Sequence, residues 1–397
     1  MALNLTCNRL GRRLLRDSGK CLSTAAAIAE KPLLCHFRTP ESNPAKHSKV
    51  HEGLFYTVPP EVMKTVFQVN RLPRKMEEMN DMFAECCFMV RPQFLEIKSL
   101  LESYDYSLPA LRIMIYGKYG CGKSITFAHL LHYAHIKKDW MIVSKMWVPQ
   151  WVKRPKEAAP QGPDEQCWDS PVDAAVWLQH FRFLNAPLLK KLELTTSKKY
   201  QWSEREETAA GEPLVNIIEH GVERIKHACD CVGALLQELK HYSNAGKVKT
   251  LVAIDGVNCF WQDTYIKRTD RTFVPAKDLA LVRHFLEILK GDWSNAAVVV
   301  TLDELALSLA HHKLDRLHVP NYYPHYLLGK HGLEFFEPFV PVHVPKYNEK
   351  EIDSCLDYYI DRNFIQNRKG WTAEGRAELK FLSGYNPMVL GDLCRTR

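Results

Sequence analysis

The chain lacks any apolar run long enough to cross a bilayer. Its cleanest runs, Leu111–Tyr116 and Ala296–Val300, fall far short of the roughly 20 residues a spanning helix needs. No membrane span is therefore expected. The 12 cysteines also lack the two-knuckle spacing of a zinc site, since Cys86–Cys87 and Cys229/Cys231 are isolated pairs. They read as reduced, mostly buried thiols in a compartment that does not form disulfides. No internal repeat occurs, which excludes solenoids and propellers. Acids are scarce at the start: among the first 24 residues Asp17 stands alone against Arg9, Arg12, Arg13, Arg16 and Lys20, interleaved with leucines and followed by a Ser/Thr/Ala stretch. No continuous apolar segment follows those charges, so a secretory signal fits poorly. An amphipathic, Arg-rich, acid-poor start predicts a mitochondrial transit peptide over 1–24, the alternative being a basic arm that stays attached.

Removing that segment takes away five basic residues and one acidic residue and lowers the formal charge from +7 to +3. Nucleic-acid contact would then rest on local patches rather than on overall charge. With 46% apolar and 25% charged residues, the remainder is ordinary for a globular fold and excludes a fibre or a disordered chain.

Strand and helix patterns alternate along the middle of the chain. Leu111–Tyr116, Trp140–Ser144, Leu251–Ile254 and Ala296–Thr301 read as buried strands. Ser124–His135, Asp278–Lys290 opened by Pro275, and an unbroken helix from Leu214 to Tyr242 read as helices, as does Gln93–Leu101 behind Pro92. That alternation predicts an α/β fold with a mainly parallel sheet flanked by helices. Residues 31–60 read as an extended arm that packs onto a partner or the body. Val148–Pro171 reads as a surface insertion, and the last ninety residues as helices separated by Pro- and Tyr-rich loops. The expected organisation is transit peptide 1–24, N-terminal extension 25–95, nucleotide-binding domain 96–310 and a helical lid-like domain 311–397.

Gly117-Lys118-Tyr119-Gly120-Cys121-Gly122-Lys123-Ser124 matches G-x-x-x-x-G-K-[ST] between an apolar strand and a helix. Glycines at these positions let backbone N–H groups turn inward onto phosphate oxygens, aided by the helix N-terminus. Lys123 is expected to reach the β- and γ-phosphates and the Ser124 hydroxyl to ligate Mg²⁺. Leu251-Val-Ala-Ile-Asp255 places an acid at a strand end, suited to hold the same Mg²⁺. The glutamate that many ATPases carry after that acid is replaced by Gly256, which predicts slow or absent hydrolysis. Thr301 or Asp303, at the end of another strand, is a candidate sensor of the γ-phosphate. No N-K-x-D tetrapeptide occurs, so the base is not assigned by the residues, and GTP, GDP and ATP all stay open. Ser383-Gly-Tyr-Asn-Pro387 resembles a turn in the lid of some AAA-type proteins. Basic and aromatic residues alternate in Trp147–Lys156, Lys190–Arg205 and His311–His331, a composition suited to phosphate contact and base stacking or to a solvated surface.

From about Pro44 to nearly the C-terminus, the chain resembles the death-associated protein 3 family of P-loop proteins of the mitochondrial ribosomal small subunit. The resemblance rests on Pro44-Ala-Lys-His47, His51-Glu-Gly53, the glycine-rich loop, Leu251–Asn258, Leu327-Leu-Gly-Lys330 and Pro338–Asn348. It departs at Cys121, where related proteins tend to have threonine, and Ser124 keeps the hydroxyl. The resemblance implies a P-loop NTPase fold of AAA-like type that binds guanine nucleotide with Mg²⁺, located in the mitochondrial matrix with ribosomal RNA and ribosomal proteins as partners. It also implies a link to apoptosis. Self-assembly is not expected. The competing readings are an NTPase that turns over to remodel or assemble an RNA–protein complex, and a P-loop kinase, which the strand order and the absence of an Arg-rich lid disfavour.

Overall fold

The computed structural model describes residues 36–161, 166–307 and 321–395. The segment 1–24 lies outside them, as do the 310/311 division and the first ten residues of the basic-aromatic stretch from His311. At the centre is a five-stranded parallel sheet: β1 (Leu111–Tyr116), β2 (Trp140–Lys145), β3 (Lys249–Ile254), β4 (Ala296–Thr301) and β5 (Val340–His343). Their spatial order is β5-β1-β4-β3-β2. Val299 of β4 lies opposite Ile113 of β1 and Ala253 of β3, which fixes the register across the middle.

Strands buried on both sides read as continuous apolar runs, and the pleat divides their side chains between two cores. Ile113, Ile115, Ile142, Leu251, Ala253 and Val299 enter one core. There they meet α1 (Pro92–Ser103), α2 (Lys123–Lys137) and N-terminal residues including Tyr56, Val62 and Val66. Met114, Val143, Val252, Ile254, Val298 and Val300 enter the other, against α3 (Pro171–Leu192), α4 (Leu214–Glu223), α5 (Ala228–Asn244), α6 (Ala280–Leu289) and α7 (Pro324–Phe336). Each fully buried aliphatic side chain contributes about 1.5–3 kcal/mol. A third, smaller cluster joins the two ends of the chain. Phe37, Phe55, Phe83 and Met89 pack on Ile352, Leu356 and Ile360 of α8 (Glu349–Asp361) and on Leu390 of α10 (Pro387–Cys394), with α9 (Ala373–Ser383) between these helices in sequence.

Several local expectations change. The helix expected over Leu214–Tyr242 is two helices, broken at Arg224 (φ −109°, ψ 73°) with a 3-10 turn at Ile225–His227. The apolar period runs through the break because both halves bury a face in the same core. Gly221 permits their close approach: a Cβ there would stand 2.8 Å from the Cys231 Cβ. The helix expected from Asp278 starts at Ala280, after a 3-10 turn at Ala276–Asp278. Val148–Pro171 is not a surface insertion throughout, because Val148, Trp151, Val152 and Trp168 are buried in the main core. The last ninety residues contain a strand as well as helices. Pro341 and the flanking Pro338 and Pro345 hid β5, yet a proline is tolerated on an edge strand, where one side needs no N–H donor. From His36 the N-terminal segment packs onto the body, with Phe37 and His47 buried. Eight of the nine described cysteines are buried, and all nine are free thiols.

Candidate functional site

The loop Gly117–Ser124 connects β1 to α2 at the carboxyl edge of the sheet. All three of its glycines have positive φ. At Gly117 (φ +153°) a Cβ would stand 2.3 Å from the Val344 carbonyl oxygen, just beyond β5, and at Gly120 (φ +80°) 2.6 Å from Asn386 Oδ1. Only glycine lets the chain pass both points. Lys118 is exposed, Tyr119 and Gly120 are half-buried, and Cys121 and Lys123 are buried.

Lys123 folds back over the loop. Its ammonium donates to the Gly117 carbonyl at 2.9 Å and lies 3.3 Å from Asp303 Oδ2. Asp255, at the end of β3, is 2% exposed and accepts hydrogen bonds from the Thr301 and Ser124 hydroxyls. Burial pushes its carboxyl up to about 6, assisted by the like charge of Asp303 and opposed by those two hydroxyls and Lys123. Gly256 N–H donates to Thr301 Oγ1 at 2.9 Å, locking β3 to β4 at this edge. Asn258 exchanges two 3.0 Å hydrogen bonds with the Asp303 backbone, which sets the direction of the chain after β4. Glu304 accepts from the Tyr119 N–H, and burial raises its carboxyl above the usual range.

The fold thus brings the loop residues, Asp255, Thr301 and Asp303 to one edge of the sheet. Of these, residues 119–124, Asp255 and Asp303 border a cavity of about 1080 Å³, together with Lys145, Trp147, Phe83 and Tyr359, while Gly117, Lys118 and Thr301 stand outside its lining. Hydroxyl and carboxylate oxygens suit a hard divalent cation, and a buried ammonium suits an anion.

Sequence reasoning missed a second set of contacts. Arg91, 5% exposed, donates through Nη1 to the Cys121 carbonyl at 2.7 Å. Through Nε and Nη2 it grips Glu351 at 2.9 and 3.2 Å, and Nη2 also donates to the Pro345 carbonyl at 3.1 Å. Asn386, from the Ser383–Pro387 turn, donates through Nδ2 to the Tyr119 carbonyl at 2.9 Å while its Oδ1 caps α10. The N-x-x-E capping pattern at Asn348–Glu351 was a usable signal for the start of α8; nothing adjacent to Arg91 signals its partners.

Away from the loop, Glu206, His220 and His227 form the one other described group whose ligand-type atoms converge, all within 4.8 Å of one another. These groups already engage one another and a neighbour: Arg224 pairs with Glu206 at 2.8 Å, and His220 Nε2 and His227 Nδ1 share a 3.0 Å hydrogen bond. The basic-aromatic segments diverge too, with Trp151 buried in the core and Tyr200 and Trp202 stacked on each other 5.7 Å apart.

Fold and site define a three-layer α/β protein with a glycine-rich, lysine-bearing loop at the carboxyl edge of a parallel sheet, closed over by a helical C-terminal region. Among the described residues no helix is long and apolar enough to cross a membrane. The chain belongs to the mitochondrial ribosomal death-associated protein 3 family, whose profile matches residues 88–393, a stretch that includes both Arg91 and Asn386. It is 37% identical over 383 residues to the small ribosomal subunit protein mS29 of Mus musculus, covering 96% of this chain and 95% of that protein. It is 36% identical over 357 residues to mS29 of Bos taurus, covering 90% and 87%. Membership of this family makes the chain mitochondrial and ribosome-associated.

Proposed function

We propose that this chain is a structural constituent of the small subunit of the mitochondrial ribosome, and that it holds a nucleotide with Mg²⁺ at Gly117–Ser124. GTP or GDP is the first candidate and ATP the second. One observation carries the nucleotide reading: Lys123 and Ser124, at the start of α2 behind β1, and Asp255, directly after β3, converge at a single cavity although β1 and β3 are not neighbours in the sheet. The loop amides and Lys123 would hold the phosphates, and Ser124 and Asp255 the Mg²⁺, which neutralises phosphate charge when bound. The sheet order, with β4 between the loop-bearing β1 and the acid-bearing β3, supports an AAA-like P-loop fold. Gly256 in place of a carboxylate, its N–H spent on Thr301, supports a held nucleotide rather than rapid turnover.

In this reading 1–24 is a removable import segment, 25–95 an extension, 96–310 the nucleotide-binding domain and 311–397 a lid-like region. The partners are ribosomal RNA and proteins of the small subunit in the matrix. The test is to sediment mitochondrial extracts on a sucrose gradient and measure the nucleotide released by acid from the fractions holding this chain. Co-sedimentation with the small subunit and near-stoichiometric nucleotide, lost in Lys123→Ala, is the expected result. A free protein that turns over added GTP or ATP would point instead to an assembly enzyme, and unchanged nucleotide in Lys123→Ala would remove the loop from the account.

A further inference from the structure

The loop is gripped at three consecutive carbonyls by groups from other elements. Asn386 Nδ2 holds the Tyr119 carbonyl at 2.9 Å, Met388 N–H approaches the Gly120 carbonyl at 3.3 Å, and Arg91 Nη1 holds the Cys121 carbonyl at 2.7 Å. A peptide unit is planar and trans, so its N–H points opposite to its C=O. Fixing the Tyr119 and Cys121 carbonyls therefore directs the N–H groups of Gly120 and Gly122 away from the clamps, and both glycines border the cavity.

The far end of each clamp is a helix N-terminus in the C-terminal region. Glu351, 2% exposed, pairs with Arg91 and also accepts the Asn348 N–H at 2.9 Å in the capping box that starts α8. Asn386 is itself the N-cap of α10, accepting the Met388 N–H at 3.0 Å. The same side chains that aim the loop amides therefore also seat α8 and α10.

We infer that Arg91 and Asn386 are positioning residues that couple nucleotide occupancy of the loop to the docking of helices α8 and α10. The inference rests on the nucleotide reading above and adds a regulated element to it. Coupling of this kind is reciprocal: a ligand that fixes the loop amides stabilises the helices, and loosening the helices weakens the ligand by the same factor. The surface that α8–α10 offer to the rest of the ribosomal subunit then depends on whether the loop is filled.

The test uses the full chain with GDP and Mg²⁺ as the probe, reading affinity by titration and backbone hydrogen exchange with and without the probe. The wild type should show slower exchange on binding across 349–361 and 387–394. Asn386→Ser keeps a capping oxygen but loses the amide donor to Tyr119. It should bind about tenfold more weakly, the worth of a good hydrogen bond, with little change in the melting midpoint of the empty protein and reduced protection of 387–394. Arg91→Gln should weaken binding and abolish the added protection of 349–361. If it fails to fold, Asn386→Ser decides alone. Affinities within twofold of wild type and undiminished protection in the folded variants would overturn the inference and leave the nucleotide site standing. Failure of the wild type to bind GDP or ATP at all would overturn both.

Discussion

Asp255 and Arg91 act on the same loop through different kinds of contact. Asp255 ends a strand of the sheet, and with β1, β4 and the start of α2 it forms the inner wall of the site, where neighbouring strands hold each group at a register position. Arg91 belongs to the outer grip, in which residues 91, 344, 351 and 386 meet around the loop with no shared element. The inner wall is rigid because its backbone is hydrogen-bonded through. The outer grip depends on side chains that satisfy one another, so removing a single partner leaves a buried group unpaired.

Breaking the outer grip at its charge pair should have the largest effect. Arg91→Gln leaves the Glu351 carboxylate buried without its partner and should cost about 3–5 kcal/mol in denaturant unfolding. Arg91→Met with Glu351→Leu should recover most of that stability without restoring the bond to the Cys121 carbonyl. A double variant as unstable as the single would mean that the pair, and not its broken half, carries the stability.

Gly117→Ala comes next, at about 1–3 kcal/mol, because the new Cβ must push the chain at Val344 away from β1. Gly211→Ala is the control: its φ of +87° is also positive but nothing stands within 4 Å, so the cost should stay near the ~1 kcal/mol of the backbone strain alone. Equal costs at the two sites would remove crowding from the explanation.

The inner side carries a pH signature. His132 on α2, hydrogen-bonded to the Tyr56 hydroxyl, is held at about 3 by burial, with His135 and His47 adding to the shift. Its neighbour His129, 3.1 Å from His47, is likewise held well below its ordinary value by burial. The folded state keeps His132 neutral, whereas the unfolded chain protonates it near 6.5. Its contribution is therefore complete above pH 6.5 and is lost as pH falls towards 3, at about 1.4 kcal/mol per pH unit. His132→Gln should flatten the fall in stability between pH 6.5 and 5.5 by about 1 kcal/mol, and an unchanged slope would assign the acid sensitivity to other groups.

The smallest effect is expected at Lys75–Asp392, which also joins the N-terminal segment to α10, at 2.5 Å, but with both side chains about half exposed. Lys75→Ala should change stability by less than about 1 kcal/mol. A larger loss would show that exposed contacts between the two ends matter as much as the buried grip.

The difference between the two sides also explains what could be read in advance. β1 and β4 were legible residue for residue, and α2 nearly so, because a buried parallel strand is an unbroken apolar run and the glycine-rich loop marks where the strand stops and the helix starts. The parting of α4 from α5 was not legible, since both halves continue one apolar period. β5 was not, since its prolines argue against a strand until its edge position is known.

By itself the sequence determined the parallel α/β sheet, the loop between β1 and α2, and the acid at the end of β3. Each of these is written in neighbouring residues through backbone propensity and hydrophobic period. Only the tertiary structure decided which groups stand behind the loop. Arg91, Val344, Glu351 and Asn386 are separated by up to about three hundred residues, and no local pattern records that a guanidinium will find one carbonyl and one carboxylate there. What selects those partners is the cost of burying polar groups unpaired, which is settled only when the two ends of the chain close over the sheet.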